Sequence, residues 1–126
     1  MKCLTRILIG FIFLTIVSSP LQAVASGFEL MEVFSLRVTV VENGTEHEWE
    51  YDSPNKYEYE TGQTVVKGNV AKTEVDQMVK LLQIDPKRSR EQYKAILEKK
   101  FPKLESFDIR FIDETDHLYT WGWYKD

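Results

Sequence analysis

The sequence contains almost no cysteine, and its one cysteine is at position 3 of 126 residues. A single thiol cannot close an intrachain disulfide, and it cannot supply the several thiolates of a structural zinc site. The two histidines, His47 and His117, lie far apart in the sequence, which also argues against zinc. We therefore expect a fold that is stabilised by packing alone, with no cofactor and no metal ion.

Sequence signatures of catalysis are also missing. None of the serines at positions 35, 53, 89 and 106 lies in a G-x-S-x-G elbow, so no nucleophile is evident. The acidic turns lack the D-x-[DN]-x-[DN]-G loop that wraps a calcium ion. The missing nucleophile predicts that the chain is not an enzyme, and the missing loop argues against a wrapped calcium ion.

The only long apolar run is at the N-terminus, between residues 7 and 17. Lys2 and Arg6 flank its start, and Ala23-Val24-Ala25 follows as an A-x-A cleavage pattern. The run is shorter than the roughly 20 apolar residues that span a bilayer. We predict a signal peptide at 1–25 and one domain at 26–126, secreted or extracytoplasmic, without stable membrane insertion after cleavage; the alternative is an uncleaved anchor.

The charge of the chain limits the kind of partner. The formal net charge is −4, and loss of residues 1–25 removes two basic and no acidic residues, which gives −6 for the predicted mature chain. A net negative surface repels phosphate groups. We expect no nucleic acid as a partner, and instead an envelope or extracellular protein that the sequence does not identify.

Alternating residues predict a strand over 34–41 that has four apolar side chains on one face: Phe34, Leu36, Val38 and Val40. Asn43-Gly44 follows, and this dipeptide is typical of a two-residue type I′ hairpin turn. That turn places Val38 opposite Trp49 and Arg37 opposite Glu50, so rings lie on one side of the hairpin and acids on the other.

A third strand is predicted to start at Lys56 after a three-residue loop, with Trp49 opposite Tyr59 and Tyr51 opposite Tyr57. We expect this strand to continue past an irregularity at Gly62 as far as Lys67. The same register places Glu48 opposite Glu60 and Glu50 opposite Glu58, so like charges face each other on the outer side.

Two helices and a closing hairpin complete the pattern. Helical spacing over 71–82 predicts a first helix with Asn69 or Thr73 as its N-cap, and Ser89-Arg90-Glu91-Gln92 is a capping-box pattern for a second helix that ends at Pro102. Alternation over 107–111 and 119–123 predicts two final strands. The order β-β-β-α-α-β-β predicts an α+β fold, with one antiparallel sheet of about five strands and two helices packed on one face.

Several stretches resemble the YusW-like family of small secreted proteins and lipoproteins, described mainly from Bacillus and its relatives. They are SLRVTVVENGTEHEWEYD, YEYE, VVKGNVAKTEVDQMVKLLQI, SREQYKAILEKKF and FDIRFIDETDHLYTW. The resemblance implies a small exported fold and no reaction, because the family has no established activity. No cysteine follows the apolar run, so the lipid tether of the lipoprotein members is not expected.

The outer face of the predicted sheet is the candidate binding site. It comprises five glutamates and, near the C-terminus, one exposed ring: Glu46, Glu48, Glu50, Glu58, Glu60 and Tyr124. We expect an exported, non-enzymatic binding or accessory module of the cell envelope or the extracellular space. Two alternatives stay open: a small wall-directed hydrolase with a carboxylate pair, and a calcium-stabilised structural protein.

Overall fold

The computed structural model describes residues 33–126, which form one six-stranded antiparallel sheet and two helices. The signal peptide predicted at 1–25 and the domain start predicted at residue 26 lie outside the described residues. Along the sheet the strands follow the order β4-β3-β2-β1-β5-β6. The elements are β1 (Val33–Glu42), β2 (Thr45–Asp52), β3 (Lys56–Thr61), β4 (Thr64–Lys67), α1 (Asn69–Leu82), α2 (Arg90–Lys100), β5 (Leu104–Asp113) and β6 (Leu118–Tyr124).

The first hairpin confirms the predicted turn and register. Asn43 and Gly44 have φ values of 48° and 77°, the positive values that a type I′ turn requires at both central residues. Val38 pairs with Trp49 and Arg37 pairs with Glu50. The three-residue loop after β2 is confirmed as well, because it brings Tyr51 opposite Tyr57 and Trp49 opposite Tyr59.

The start of β1 differs from the prediction that Phe34 faces the core. Val33 is buried, whereas Phe34 is 60% exposed. The pairing of β1 with β5 shifts register between Val33 and Ser35. Such an irregularity interrupts the strict alternation of side chains, so the apolar pattern of the later residues cannot be extended back to Phe34.

The third strand also differs from the prediction, because it does not continue past Gly62. The chain reverses at Gly62-Gln63, so that Thr61 pairs with Thr64 and β4 lies antiparallel to β3. Gly62 has a φ of 59°, a conformation that glycine adopts without steric cost. The sheet therefore has six strands, and not about five.

Both helices lie where the helical spacing predicts them. Gly68 is the N-cap of α1, so the prediction of Asn69 or Thr73 is wrong: Asn69 is the first helical residue, and the Thr73 hydroxyl donates to its carbonyl oxygen. The capping box of α2 is confirmed, because the Ser89 side chain accepts from the Gln92 N–H and the Gln92 side chain accepts from the Ser89 N–H. Within residues 33–126, neither helix has the length and apolar character needed to cross a membrane.

The core lies between the sheet and the helices. α1 packs over β2, β3 and β4, and α2 packs over β5 and β6. The inner side chains of the sheet are buried together with Val75, Met78 and Leu82 of α1 and with Tyr93 and Leu97 of α2. Because burying a side chain of this size contributes about 1.5 to 3 kcal/mol, this one apolar layer accounts for the stability of a fold without disulfides.

The side chain of Tyr93 ties α2 to the loop that follows α1. Tyr93 is fully buried. Its hydroxyl accepts from the Asp85 N–H at 2.9 Å and donates to the Asp85 carbonyl oxygen at 2.9 Å. The Tyr93 ring also meets Trp121 of β6 edge to face, with centroids 4.9 Å apart. One side chain therefore fixes both the connection between the helices and the position of α2 on the sheet.

Replacing Tyr93 with phenylalanine should destabilise the protein although the core volume barely changes. The substitution removes two part-buried hydrogen bonds to the Asp85 backbone, and a hydrogen bond of this kind contributes about 0.5 to 1.5 kcal/mol. Urea unfolding measures the difference. Tyr124→Phe removes the same hydroxyl from a residue that is 70% exposed, and this control should stay within about 0.5 kcal/mol of the native protein. Equal stability of the two variants would contradict the role given to Tyr93.

Candidate binding face

The two faces of the sheet have opposite character. The inner face is covered by α1 and α2, whereas no element within residues 33–126 covers the outer face. The outer face carries the side chains that alternate with the buried ones, which in β2 and β3 are mostly glutamates.

Four glutamates form two cross-strand pairs on this face, and we call them the carboxylate ladder: Glu48, Glu50, Glu58 and Glu60. Glu48 pairs with Glu60 and Glu50 pairs with Glu58, as the sequence predicts. Directly opposed residues have Cβ atoms about 5 Å apart, and like charges at this distance destabilise a sheet. The ladder therefore needs a proton or a cation to offset the repulsion.

Arg37 of β1 supplies part of that offset. Its Nη2 atom lies 2.5 Å from Oε1 of Glu50, and its Nε atom lies 3.4 Å from Oε1 of Glu48. Each of these two glutamate side chains is only 18% exposed, so water screens the contacts less than at a fully exposed ion pair. The prediction that Arg37 flanks Glu50 is confirmed; its second contact, with Glu48, was not predicted.

Protonation of the carboxyl groups supplies another part of the offset to this repulsion. The pKa of Glu48 is raised from 4.5 to about 7, first by a hydrogen bond with the Glu50 carboxyl group, then by burial and by repulsion from Glu50, against an opposing effect of Arg37. The pKa of Glu60 is raised as well, chiefly by a hydrogen bond with the Glu58 carboxyl group. Glu48 thus keeps its proton at pH values where an isolated glutamate is ionised.

Two cations near the ladder were not predicted. Lys67 lies opposite Glu58, because the turn at Gly62 folds β4 back onto β3. Arg110 of β5 lies opposite Arg37, and this neighbour could not be placed without the strand order. Shallow grooves flank the ladder, one of about 250 Å³ lined by Arg37, Glu50 and Arg110 among others, and one of about 300 Å³ lined by Glu50, Glu58 and Lys67 among others.

Of the two remaining predicted site residues, Glu46 continues the row of β2 glutamates and repels Glu60, whereas Tyr124 lies apart from the ladder. Glu46 is exposed on the same face near the turn, opposite Val41. Tyr124 is 70% exposed at the end of β6. β1 and β5 separate β6 from β2, and Tyr124 lies in the same cross-strand row as Glu46. At about 4.8 Å per strand, Tyr124 is about 14 Å from Glu46 and farther from the other β2 glutamates. The structure therefore brings the glutamates together but does not join Tyr124 to them.

The ring residues near the C-terminus belong mainly to the core, as their alternation predicts. Trp121 is half-buried, and its indole N–H donates to the Arg88 carbonyl oxygen at 3.0 Å. The ammonium group of Lys94 lies 4.6 Å from the centre of the Trp123 ring. His47 is half-buried beside Trp49 and Phe101. These rings hold α2 and the end of β2 in place from the inner face of the sheet.

Metal-ligating side chains do not converge in the described part of the chain. Within residues 33–126, no group of three or more histidine, cysteine, aspartate or glutamate side chains is arranged to hold a metal ion. The ladder glutamates are spaced along flat strands, whereas calcium needs six to eight oxygen atoms around one point. The arrangement suits several separate cations, such as the side chains of a basic peptide.

Replacing Glu48 with glutamine should change the pH dependence of stability. A carboxyl group with a raised pKa stabilises the fold below the unfolded-state pKa of 4.5 and loses that contribution as pH rises through about 7. Glutamine cannot ionise, so we expect Glu48→Gln to exceed the native protein at pH 8 by about 1 kcal/mol and to match it at pH 4. Urea unfolding at a series of pH values measures this difference.

The matched control for this substitution is Glu114→Gln, which removes an exposed acid from the turn between β5 and β6. The control should follow the native pH profile. A Glu48→Gln protein that is less stable than the native one at pH 8 would show that the contact with Arg37 outweighs the shared proton, and would contradict the account of the ladder.

Comparison with known proteins adds no further constraint. No family model, no curated protein and no solved structure matches this chain. The resemblance to the YusW-like family therefore stays a prediction, and the function has to be argued from the geometry of the outer face.

Proposed function

We propose that this chain is a non-enzymatic binding module of the cell envelope or the extracellular space, and that its carboxylate ladder binds a basic segment of a protein partner. The observation that carries the proposal is the imbalance of charge on the open face. Within residues 33–126, Arg37 is the only cation within ion-pair distance of the ladder. Glu58 and Glu60 have no such partner, so a bound cation would relieve repulsion that already exists.

The spacing of the ladder favours an extended partner segment. Residues two apart on a strand lie about 6.7 Å from each other on the same face. Glu48 and Glu50 have this spacing, and so do Glu58 and Glu60. A strand-like segment with lysine or arginine at alternate positions repeats it, so successive basic side chains would meet successive rows of the ladder.

The raised pKa of Glu48 links this binding to pH. A cation next to Glu48 favours the ionised carboxylate, so binding releases the proton that the free protein holds up to about pH 7. Affinity for a basic segment should therefore increase as pH rises from 6 to 8. Short-range electrostatic contacts are also screened by salt, so affinity should fall with ionic strength.

A peptide with lysine at alternate positions tests the proposal. By fluorescence anisotropy, its dissociation constant should increase about tenfold when salt rises from 0.05 to 0.5 M. Changing Glu48, Glu50 and Glu58 together to glutamine should weaken binding by at least about tenfold at low salt, with the fold retained in circular dichroism. A pull-down from the envelope fraction with the native and substituted proteins then identifies the natural partner.

The control for net charge is a second triple variant in which Glu74, Glu98 and Glu114 become glutamine. These residues lie on the helices and in the last hairpin turn, away from the outer face. This variant should bind the peptide as the native protein does, apart from a small loss through its lower net charge. If the two triple variants bind equally well, the ladder is not the binding site.

A wall-directed hydrolase is the second candidate, and the pKa of Glu48 is the observation that favours it. A general acid must hold its proton near neutral pH, as Glu48 does. However, the Glu48 and Glu50 carboxylates both contact the guanidinium group of Arg37, whereas glycosidases hold their two carboxyls about 5 Å or more apart on either side of the substrate. Incubation of the protein with cell-wall fragments between pH 4 and 9 distinguishes the two candidates. Soluble products that the native protein releases and Glu48→Gln does not would favour the hydrolase over the binding module.

A further inference from the structure

The two edges of the sheet differ in their protection against pairing with another strand. β4 has only four residues and ends at Lys67. β6 has seven residues, LYTWGWY, with no charged residue and no proline, and its pairing with β5 has no register shift. Short strands, lysines, prolines and bulges are the usual means of blocking an edge. By these criteria β4 is protected and β6 is not.

The backbone groups that β6 leaves unpaired can be assigned from its contacts with β5. The Asp113 N–H donates to the His117 carbonyl oxygen at 3.1 Å, and the Lys125 N–H donates to the Glu105 carbonyl oxygen at 2.8 Å. Alternate residues of a strand direct their backbone groups to opposite sides. The odd-numbered residues therefore face β5, and the N–H and C=O groups at 118, 120, 122 and 124 face away from the sheet.

We propose that β6 pairs with β6 of a second copy of this chain, antiparallel and centred on Trp121, so that the two sheets become one. In this register Leu118 lies opposite the partner's Tyr124. Each pair of even-numbered residues in this register uses its outward N–H and C=O groups, and exchanges two hydrogen bonds. Leu118 is 55% exposed and Tyr124 is 70% exposed, so the pairing brings together the two large apolar side chains that β6 leaves in water.

Charge complementarity across the junction supports a second copy as the occupant. On the outer face, Asp108 pairs with Gly122 and Arg110 pairs with Thr120. Oδ2 of Asp108 lies 3.4 Å from the position that a Cβ on Gly122 would take, so the carboxylate lies over the outermost strand. Within residues 33–126, neither Asp108 nor Arg110 has an ion-pair partner.

The proposed two-fold axis makes these unpaired charges face each other. Because Thr120 lies opposite the partner's Gly122, Arg110 is in line with the partner's Asp108 at three strand spacings, about 14 Å between Cα atoms, and the symmetry gives this juxtaposition of opposite charges twice. Gly122 has no side chain, so only the Thr120 side chain lies between the two charges, and the long arginine side chain can extend over the strands toward the carboxylate. An unrelated peptide strand would have no reason to present an acid at this position.

The small area of the contact limits the stability of the dimer. Edge pairing of one seven-residue strand buries less than the about 1,600 Å² of a standard stable interface. We expect a reversible dimer that dissociates in the micromolar range. Since most of the contact is backbone and apolar surface between two negatively charged copies, added salt should weaken the dimer much less than it weakens binding of the basic peptide.

Complementary charge reversals test the proposed dimer. The protein is purified from the cells that produce it, and its self-association is measured. Asp108→Arg and Arg110→Asp each place like charges across the junction, so sedimentation velocity should show each variant at least about tenfold weaker in self-association than the native chain. An equimolar mixture of the two variants restores opposite charges at both contacts. Fluorescence labelling of one variant should therefore show a mixed dimer at native strength. Arg90→Asp on α2 is the control, and should dimerise as the native chain does.

The possible results separate the alternatives. A native chain that stays monomeric at millimolar concentration overturns the proposal, and so does a dimer that both charge reversals leave intact. A dimer that the single reversals weaken but the mixture does not rescue also overturns the register. Thr120→Pro, which removes an outward N–H but no bond to β5, should prevent dimerisation without unfolding the chain. Binding of the lysine peptide at the ladder is expected in Thr120→Pro, whose substitution lies on β6 away from the ladder, so failure of the dimer leaves the proposed function untouched.

Discussion

The register between β1 and β2 is the constraint on which the other features of the molecule depend. The two-residue turn at Asn43-Gly44 aligns the strands so that apolar side chains fall on one face and glutamates on the other. A slip of one residue would move every ring of β2 into water and every acid into the core. The helices can therefore cover only one face, and the other face keeps a concentrated set of carboxylates beside β1.

That concentration has a cost that the protein offsets only in part. Opposed glutamates repel, and the repulsion is offset by Arg37 on one side and by the raised pKa values of Glu48 and Glu60, which favour the neutral carboxyl groups. A sheet that needed the outer face only for contact with water could use threonine there, or lysine opposite glutamate, at no such cost. The residual repulsion is the physical reason for expecting a basic partner, and the raised pKa makes the strength of that attraction depend on pH near neutrality.

The sequence predicts those parts of the fold that rest on local signals. The Asn43-Gly44 turn, the capping box at Ser89 and the alternation in β2, β5 and β6 each depend on neighbouring residues, and the structure confirms them. The exposed Phe34 was predicted wrongly because its position depends on pairing with β5, which lies far away in the sequence. The turn at Gly62 was missed although a glycine was present, because one glycine fits a bulge as well as a turn.

In the candidate site, too, some features follow from local sequence signals and others do not. The cross-strand pairs of the ladder follow from one turn and one loop, so they could be read from the sequence. The contact of Arg37 with Glu48, the neighbour Arg110 and the raised pKa of Glu48 could not be predicted. They depend on strand order, on side-chain conformation and on burial, and none of these is encoded in residue spacing.

The most direct test of this account is the titration of the ladder by NMR, with the side-chain carboxyl carbons of the glutamates labelled. The account predicts that the Glu48 carboxyl signal titrates near pH 7 and that Arg37→Gln raises its midpoint further, because the guanidinium group opposes the shift. A Glu48 signal that titrates near 4.5, like a glutamate in water, would show that the carboxylates of this face do not share protons and would contradict the central claim.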